Sequence, residues 1–140
     1  MRKGFSLLTA ILFLVLVATI SVLALSLSTQ SAKQTTDIFL KTQAEILAKS
    51  ATEYAILAIS GHDYNINCLK NINSTYNNIF DINISIQYIG SGLPAGCPQL
   101  GSNITTIDSN RTVIIDTIVS SQASVATEPV KIHKRTIQKP

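Results

Sequence analysis

Apolar residues fill the first part of this chain almost without interruption, then settle into a helical rhythm, and finally alternate with polar residues in short runs. Between Phe5 and Leu27, 18 of 23 residues are apolar, and the others are Ser6, Thr9, Thr19, Ser21 and Ser26. As a helix this stretch spans ~35 Å, enough to cross a hydrocarbon layer of ~30 Å. Its hydroxyls are tolerable in lipid because Ser and Thr bond back to carbonyls of the preceding turn. No Gly or Pro occurs from Phe5 to Ser60, so one helix is expected to run through this segment and beyond it. From Lys33 the charges alternate at every fourth residue: Lys33, Asp37, Lys41, Glu45, Lys49, Glu53. These are i,i+4 neighbours on a helix, where a strand would mix charged and apolar residues on both faces. Leu40, Ala44, Leu47, Ala51, Tyr54 and Ala58 fall opposite the ladder, flanked by Phe39, Ile46 and Leu57, and are the expected buried face. Ile38 and Ile56 fall on the polar side, and Gly61 is the expected stop.

Beyond Gly61 the period changes. Asn65 to Asn78, dense in Asn and Ser, reads as loop. Ile82, Ile84, Ile86 and Tyr88 alternate with polar residues and predict a half-buried strand. Gly90 to Gly96 reads as a turn or loop. Thr112 to Val119 predicts a second strand, with Val113, Ile115 and Val119 on one side and Ile114 and Ile118 on the other. Val130 to Ile137 predicts a third, at an edge, where its lysines discourage further pairing. Residues 103–107 suit one more short strand. The expected class is α+β: a long helix, with a transmembrane and an amphipathic half, packed on a small antiparallel sheet.

Charge and cysteines sharpen this layout. Charged residues make up only 14% of the chain, well below the ~25% of ordinary soluble domains. The net charge of +3 is concentrated at the ends. Arg2 and Lys3 precede the apolar run and predict a cytoplasmic N-terminus, with everything after Leu27 outside the cytoplasm. A cleaved secretory signal has a similar layout, but the run is longer than its usual apolar core and lacks a clear small-x-small cleavage site. Cys68 and Cys97 are the only cysteines. Outside the cytoplasm they are expected to be oxidised, closing a loop at a gain of about 3–4 kcal/mol, with two free thiols as the alternative.

Little in the chain points to catalysis, and no enzyme, cofactor or metal is expected. His62-Asp63 is the only neighbouring His and acid, and two ligands fall short of a structural zinc site. The glycines 90, 92, 96 and 101 do not form a phosphate loop. His133 lies in a basic strand with no triad spacing around it. Asp81-Ile82-Asn83-Ile84-Ser85 matches an extended bacterial glycosylation sequon at Asn83, although Asn83 also suits the polar face of a strand. Lys131, Lys134, Arg135 and Lys139 are candidate weak phosphate contacts, or simply the charges of an edge strand.

Met1-Arg2-Lys3-Gly4-Phe5-Ser6-Leu7-Leu8 resembles the start of a type IV prepilin or type II secretion pseudopilin. The motif covers residues 1 to about 30, and the likeness extends to about 60 by shape alone. It implies a leader, 1–4, removed after Gly4 by prepilin peptidase, and a mature N-terminus at Phe5 that is then methylated. It further implies a transmembrane helix over 5–27, an amphipathic continuation over 28–60 and a small periplasmic β-rich head over 61–140. The subunit would sit in the bacterial inner membrane as a single-pass protein, or in an extracellular or periplasmic filament after assembly. Its implied role is a minor pilin or pseudopilin of a type IV pilus, a type II secretion pseudopilus or a DNA-uptake machine. Its implied partners are other pilin or pseudopilin subunits, prepilin peptidase and an inner-membrane assembly platform.

The family usually has Glu where this chain has Thr9, and that Glu is taken to neutralise a neighbour's N-terminal amine. Thr9 either marks a subunit at an end of the assembly or is a tolerated polar residue. Two other functions fit the sequence: a DNA-contacting uptake component acting through the basic C-terminal segment, and an ordinary single-span membrane protein that keeps its first four residues.

Overall fold

The computed structural model describes residues 3–64, 67–101, 112–125 and 128–139, with side chains from Leu7 onward. It forms one long helix, α1 (Lys3–Ser60), and five strands: β1 (Asn71–Tyr76), β2 (Phe80–Ile89), β3 (Gln99–Gly101), β4 (Thr112–Ser121) and β5 (Lys131–Gln138). The chain divides into two compact units, Met1–Ile38 and Phe39–Pro140. α1 ends where the sequence predicts. Gly61 N–H donates to Leu57 O at 3.1 Å, and residues 61–64 carry no regular structure.

In the first unit, every described side chain from Leu7 to Ile38 is exposed. One helix is long and apolar enough to cross a membrane. Its hydroxyls bond within the helix as expected: Thr19 Oγ1 donates to Leu16 O and Ser21 Oγ to Val17 O, both at 2.8 Å. These bonds satisfy the side chains without water.

The second unit is an α+β body in which α1 packs on a single sheet. The strand order is β1-β2-β4-β5, all antiparallel, and β3 pairs with β2 in parallel. β2 and β4 form the centre, in register from Phe80↔Ser121 to Ile89↔Thr112. Their inward side chains (Phe80, Ile82, Ile84, Ile86 and Tyr88; Val113, Ile115 and Val119) form the core with Leu40, Ala44, Ala48, Ala51, Ala55 and Ile59 of α1. Four alanines on the helix let its backbone approach the larger strand residues. Thr52 and Thr117, both buried, bridge helix and sheet. Thr52 Oγ1 donates to Ala48 O at 2.7 Å, so the Thr117 hydroxyl donates to Thr52 across 3.1 Å.

Three expectations need correction. The buried helix face is rotated from the expected one. Ala48, Thr52, Ala55 and Ile59 join Leu40, Ala44 and Ala51 in the interior, while Tyr54, Phe39, Ile46 and Leu57 are exposed. Leu47 and Ile56 are partly buried against the core. The helix presents its smallest side chains to the sheet, which hydrophobicity alone does not rank highly. Secondly, residues 71–76 are strand rather than loop. β1 and β2 make a hairpin through Asn77 and Asn78, both at positive φ (50° and 56°), with Ile79 N–H bonded to Tyr76 O at 2.9 Å. Asn tolerates that left-handed conformation, so an Asn-Asn pair serves as the turn. Thirdly, β3 was not expected, and it makes the sheet mixed at one edge. Tyr88 N–H donates to Pro98 O at 2.8 Å and Gly90 N–H to Gly101 O at 3.3 Å. The possible strand over 103–107 lies outside the described residues.

Candidate assembly surface

The most extensive exposed apolar surface among the described residues is helical. Along the first unit the large apolar side chains are exposed on every side of α1, from 49% for Leu16 to 71% for Leu14. A soluble monomer rarely exposes so large a contiguous apolar area. Thr9 is exposed within this stretch and has an interaction inside the chain. Gly4 and Phe5 belong to the helical backbone near its start, and the Phe5 side chain is not among those described.

The second unit carries a separate exposed row on α1. Phe39 and Leu57 are separated by about five whole turns, and so lie on one line, with Ile46 close to it. All three point away from the sheet and are between 58% and 71% exposed. Glu45, Lys49 and Glu53 flank the row. No ion pair joins the six ladder charges among the described residues, so the i,i+4 spacing is present without closed salt bridges.

The outward face of the sheet mixes polar residues with Ile114, Ile118 and Ile137, and among the described residues it holds one buried charge. Asp116 on β4 accepts Arg135 Nε at 2.7 Å and Nη2 at 2.8 Å, and lies 2.9 Å from His133 Nε2. Register explains this cluster, because Arg135 is the β5 partner of Asp116 and His133 the partner of Ile118. The Arg135 hydrogen bond, followed by the His133 bond, holds the Asp116 carboxyl below the ordinary carboxylate range against the opposing effect of burial.

The basic C-terminal residues are spread over more than one face. Arg135 is committed to Asp116, whereas Lys134 points to the opposite side of β5 from Lys131 and Arg135. Lys139 follows the strand and already has an interaction within the chain. β5 does lie at a sheet edge, as its composition predicts. Asn83 is exposed on the central strand β2, opposite Asn73 on β1 and Ile118 on β4, in extended structure rather than a loop.

Cys68 and Cys97 form a disulfide across a sequence separation of 29 residues. The bridge fastens the segment before β1 to the segment before β3, two stretches with little regular structure of their own. Tyr88 ties the same region down from beneath, with its hydroxyl donating to Leu69 O at 2.8 Å. Burial is the main reason that hydroxyl is harder to ionise than an ordinary tyrosine. Composition showed the cysteines, but the Tyr88 anchor and the Asp116 cluster arise from strand pairing and had no sequence signal beyond alternation.

No protein-family model, curated protein or solved structure matches the chain.

Proposed function

We propose that this chain is a minor pilin or pseudopilin, a structural subunit that works by packing rather than catalysis. The observation that carries the reading is α1 itself. Its first stretch is apolar on all sides and uncovered within the chain, and its later stretch is built into a disulfide-closed head. In this reading the helix rests in the inner membrane with Arg2 and Lys3 on the cytoplasmic side, and the head lies in the periplasm. On assembly, contact with other subunit helices replaces contact with lipid. Prepilin peptidase removes residues 1–4, the assembly platform receives the mature subunit, and Thr9 favours a place at an end of the assembly. An unneutralised amine is costly inside an apolar bundle, and a terminal subunit avoids most of that cost.

A DNA-contacting role gains no support from β5, because its cations are divided between two faces and one is held by Asp116. The remaining rival is a single-span membrane protein without assembly partners. Intact-mass measurement on membrane-extracted protein separates the two. The expected mature chain begins at Phe5 with a methylated amine. A chain retaining Met1 to Gly4, or one beginning near Ser28, rejects the pilin reading.

A further inference from the structure

The strand order ends in β1 at one side of the sheet and in β5 at the other, and the two edges differ in chemistry. β5 carries Lys131, Lys134 and Arg135, charges that discourage a further strand. β1 reads Asn-Ile-Asn-Ser-Thr-Tyr, with no charge, Pro or Gly. Its six residues make a strand of ordinary length, enough to template another. No strand among the described residues pairs with its outer side.

The pairing with β2 fixes what that outer side offers. Ile86 N–H donates to Lys70 O at 2.8 Å, and the register continues without a shift from Asn71↔Ser85 to Tyr76↔Phe80. In an antiparallel ladder the main-chain groups of successive residues turn to alternate sides. Those of Ile72 and Ser74 therefore turn to β2. The N–H and C=O groups of Asn71, Asn73 and Thr75 turn outward, a row of donors and acceptors at strand spacing.

Beside this edge a groove of about 390 Å³ runs between helix and sheet within the second unit. Leu47, Ala51 and Tyr54 line it from α1, and Ile72, Ser74 and Ile82 from the strands. Tyr54 is 60% exposed and Ser74 is also exposed, so the groove is open at its β1 side. No charged residue lines it among the described residues.

We propose that β1 accepts an extended segment of a partner protein as a further strand. The edge dictates the chemistry of that segment. Its backbone is extended, so that its own N–H and C=O groups meet those of Asn71, Asn73 and Thr75. Its side chains beside Ile72 and Ser74 face the groove and are apolar, because a charge there would meet Leu47 and Tyr54 with no counter-ion. The intervening side chains lie beside Asn71, Asn73 and Thr75 and are polar. Edge and groove carry no charge, so an uncharged segment is their electrostatic complement. A second copy of β1 matches less well, since it brings Ser74 where the groove calls for an apolar side chain. The inference does not depend on the assembly role.

The test uses the full chain in non-ionic detergent and a capped hexapeptide in which Val alternates with Thr, made soluble by a polyethylene glycol tail. Amide hydrogen exchange is followed by NMR. Exchange at Asn71, Asn73 and Thr75 should slow by about tenfold at a free peptide concentration near ten times Kd, because it then proceeds only through the unoccupied edge. The amides of Ile72 and Ser74, already turned to β2, should change little. The same peptide N-methylated at every residue keeps its side chains, loses its donors and should protect none of them. Ser74→Lys places a charge beside the groove at an exposed position and should weaken peptide binding by about tenfold in a folded head. Asn73→Pro removes one outward N–H at an edge position that tolerates Pro, and should weaken binding as well. Protection that does not alternate along β1, equal binding of the N-methylated peptide, or indifference to both substitutions overturns the proposal. Slow exchange of the three outward amides before peptide is added also overturns it: in a sedimenting dimer the edge belongs to a second copy, and in a monomer the chain covers its own edge.

Discussion

The two stretches of α1 share one helix and one absence of breakers, yet they meet opposite surroundings. From Leu7 to Ile38 every side chain is exposed, and as far as Leu27 the large ones are all Leu, Ile, Val or Phe. From Leu40 to Ile59 the buried face is mostly alanine, and it meets Ile, Val, Phe and Tyr on the sheet. Where a helix is apolar all round, nothing in its own pattern selects a partner face, so lipid and neighbouring helices are equally acceptable surroundings. Where small residues line one face, that face fits one surface closely, and the packing becomes specific. The contrast makes the first stretch tolerant of substitution within apolar chemistry and the second intolerant of added volume.

Charge placed in the first stretch gives the largest effect. Val15→Asp combined with Leu16→Asp should cost about 5–7 kcal/mol of insertion free energy, since each acidic residue near the centre of a membrane helix is strongly disfavoured. The doubly substituted chain is expected to leave the membrane fraction, while its head keeps the protease resistance of the parent. Retention in the membrane fraction would show that lipid is not what surrounds this stretch.

Added volume should separate the two stretches more finely. Ala55 is fully buried, whereas Ala18 is exposed. Ala55→Leu should destabilise the head by about 1–3 kcal/mol through overpacking. Thermal unfolding of the head should then begin several degrees lower, at roughly 4–8 °C per kcal/mol for a domain of this size. Ala18→Leu should leave that transition unmoved. Equal effects of the two substitutions would erase the distinction between a specific face and a tolerant one.

Acid should give the smallest effect, confined to the head. The folded pKa of Asp116 lies below its unfolded value because of Arg135 first and His133 after it. The stability it contributes is complete above the unfolded carboxylate pKa and is lost as pH falls through the folded one. Asp116→Asn should therefore be less stable than the parent at neutral pH, with the two unfolding curves converging in strong acid. A constant gap across the acidic range would mean that the carboxylate charge contributes nothing there.

Several elements are legible in the sequence. The 2-residue alternation of Ile82, Ile84, Ile86 and Tyr88 named the inward side of β2, and all four are buried. The stop at Gly61 and the edge position of β5 followed from a helix breaker and from lysine content. β1 was hidden because its six residues are nearly all polar and its turn uses Asn-Asn where glycine gives the stronger signal. β3 was hidden because three residues carry no period at all. Of the candidate site, the apolar surface of α1 was readable from composition. The edge contact of the Tyr64 and Tyr88 rings, from residues 24 positions apart, was not readable in this way.

The sequence by itself determined where α1 runs, that α1 is apolar on every side as far as Leu27, and which side of β2 turns inward. Those properties depend on local sterics and on periods of 3.6 and 2, which a chain carries along its own length. The tertiary structure alone decided which face of the second stretch is buried, which side of β4 turns inward, which strands are neighbours, and which partners meet Asp116 and Tyr88. Such choices depend on volume matched against volume and proton against lone pair, between residues brought together only when strands cross the sheet. The helix face shows why: hydrophobicity favours Leu57 and Tyr54 over Ala48 and Ala55, but only the alanines let α1 approach Phe80 and Ile115 closely enough to exclude water.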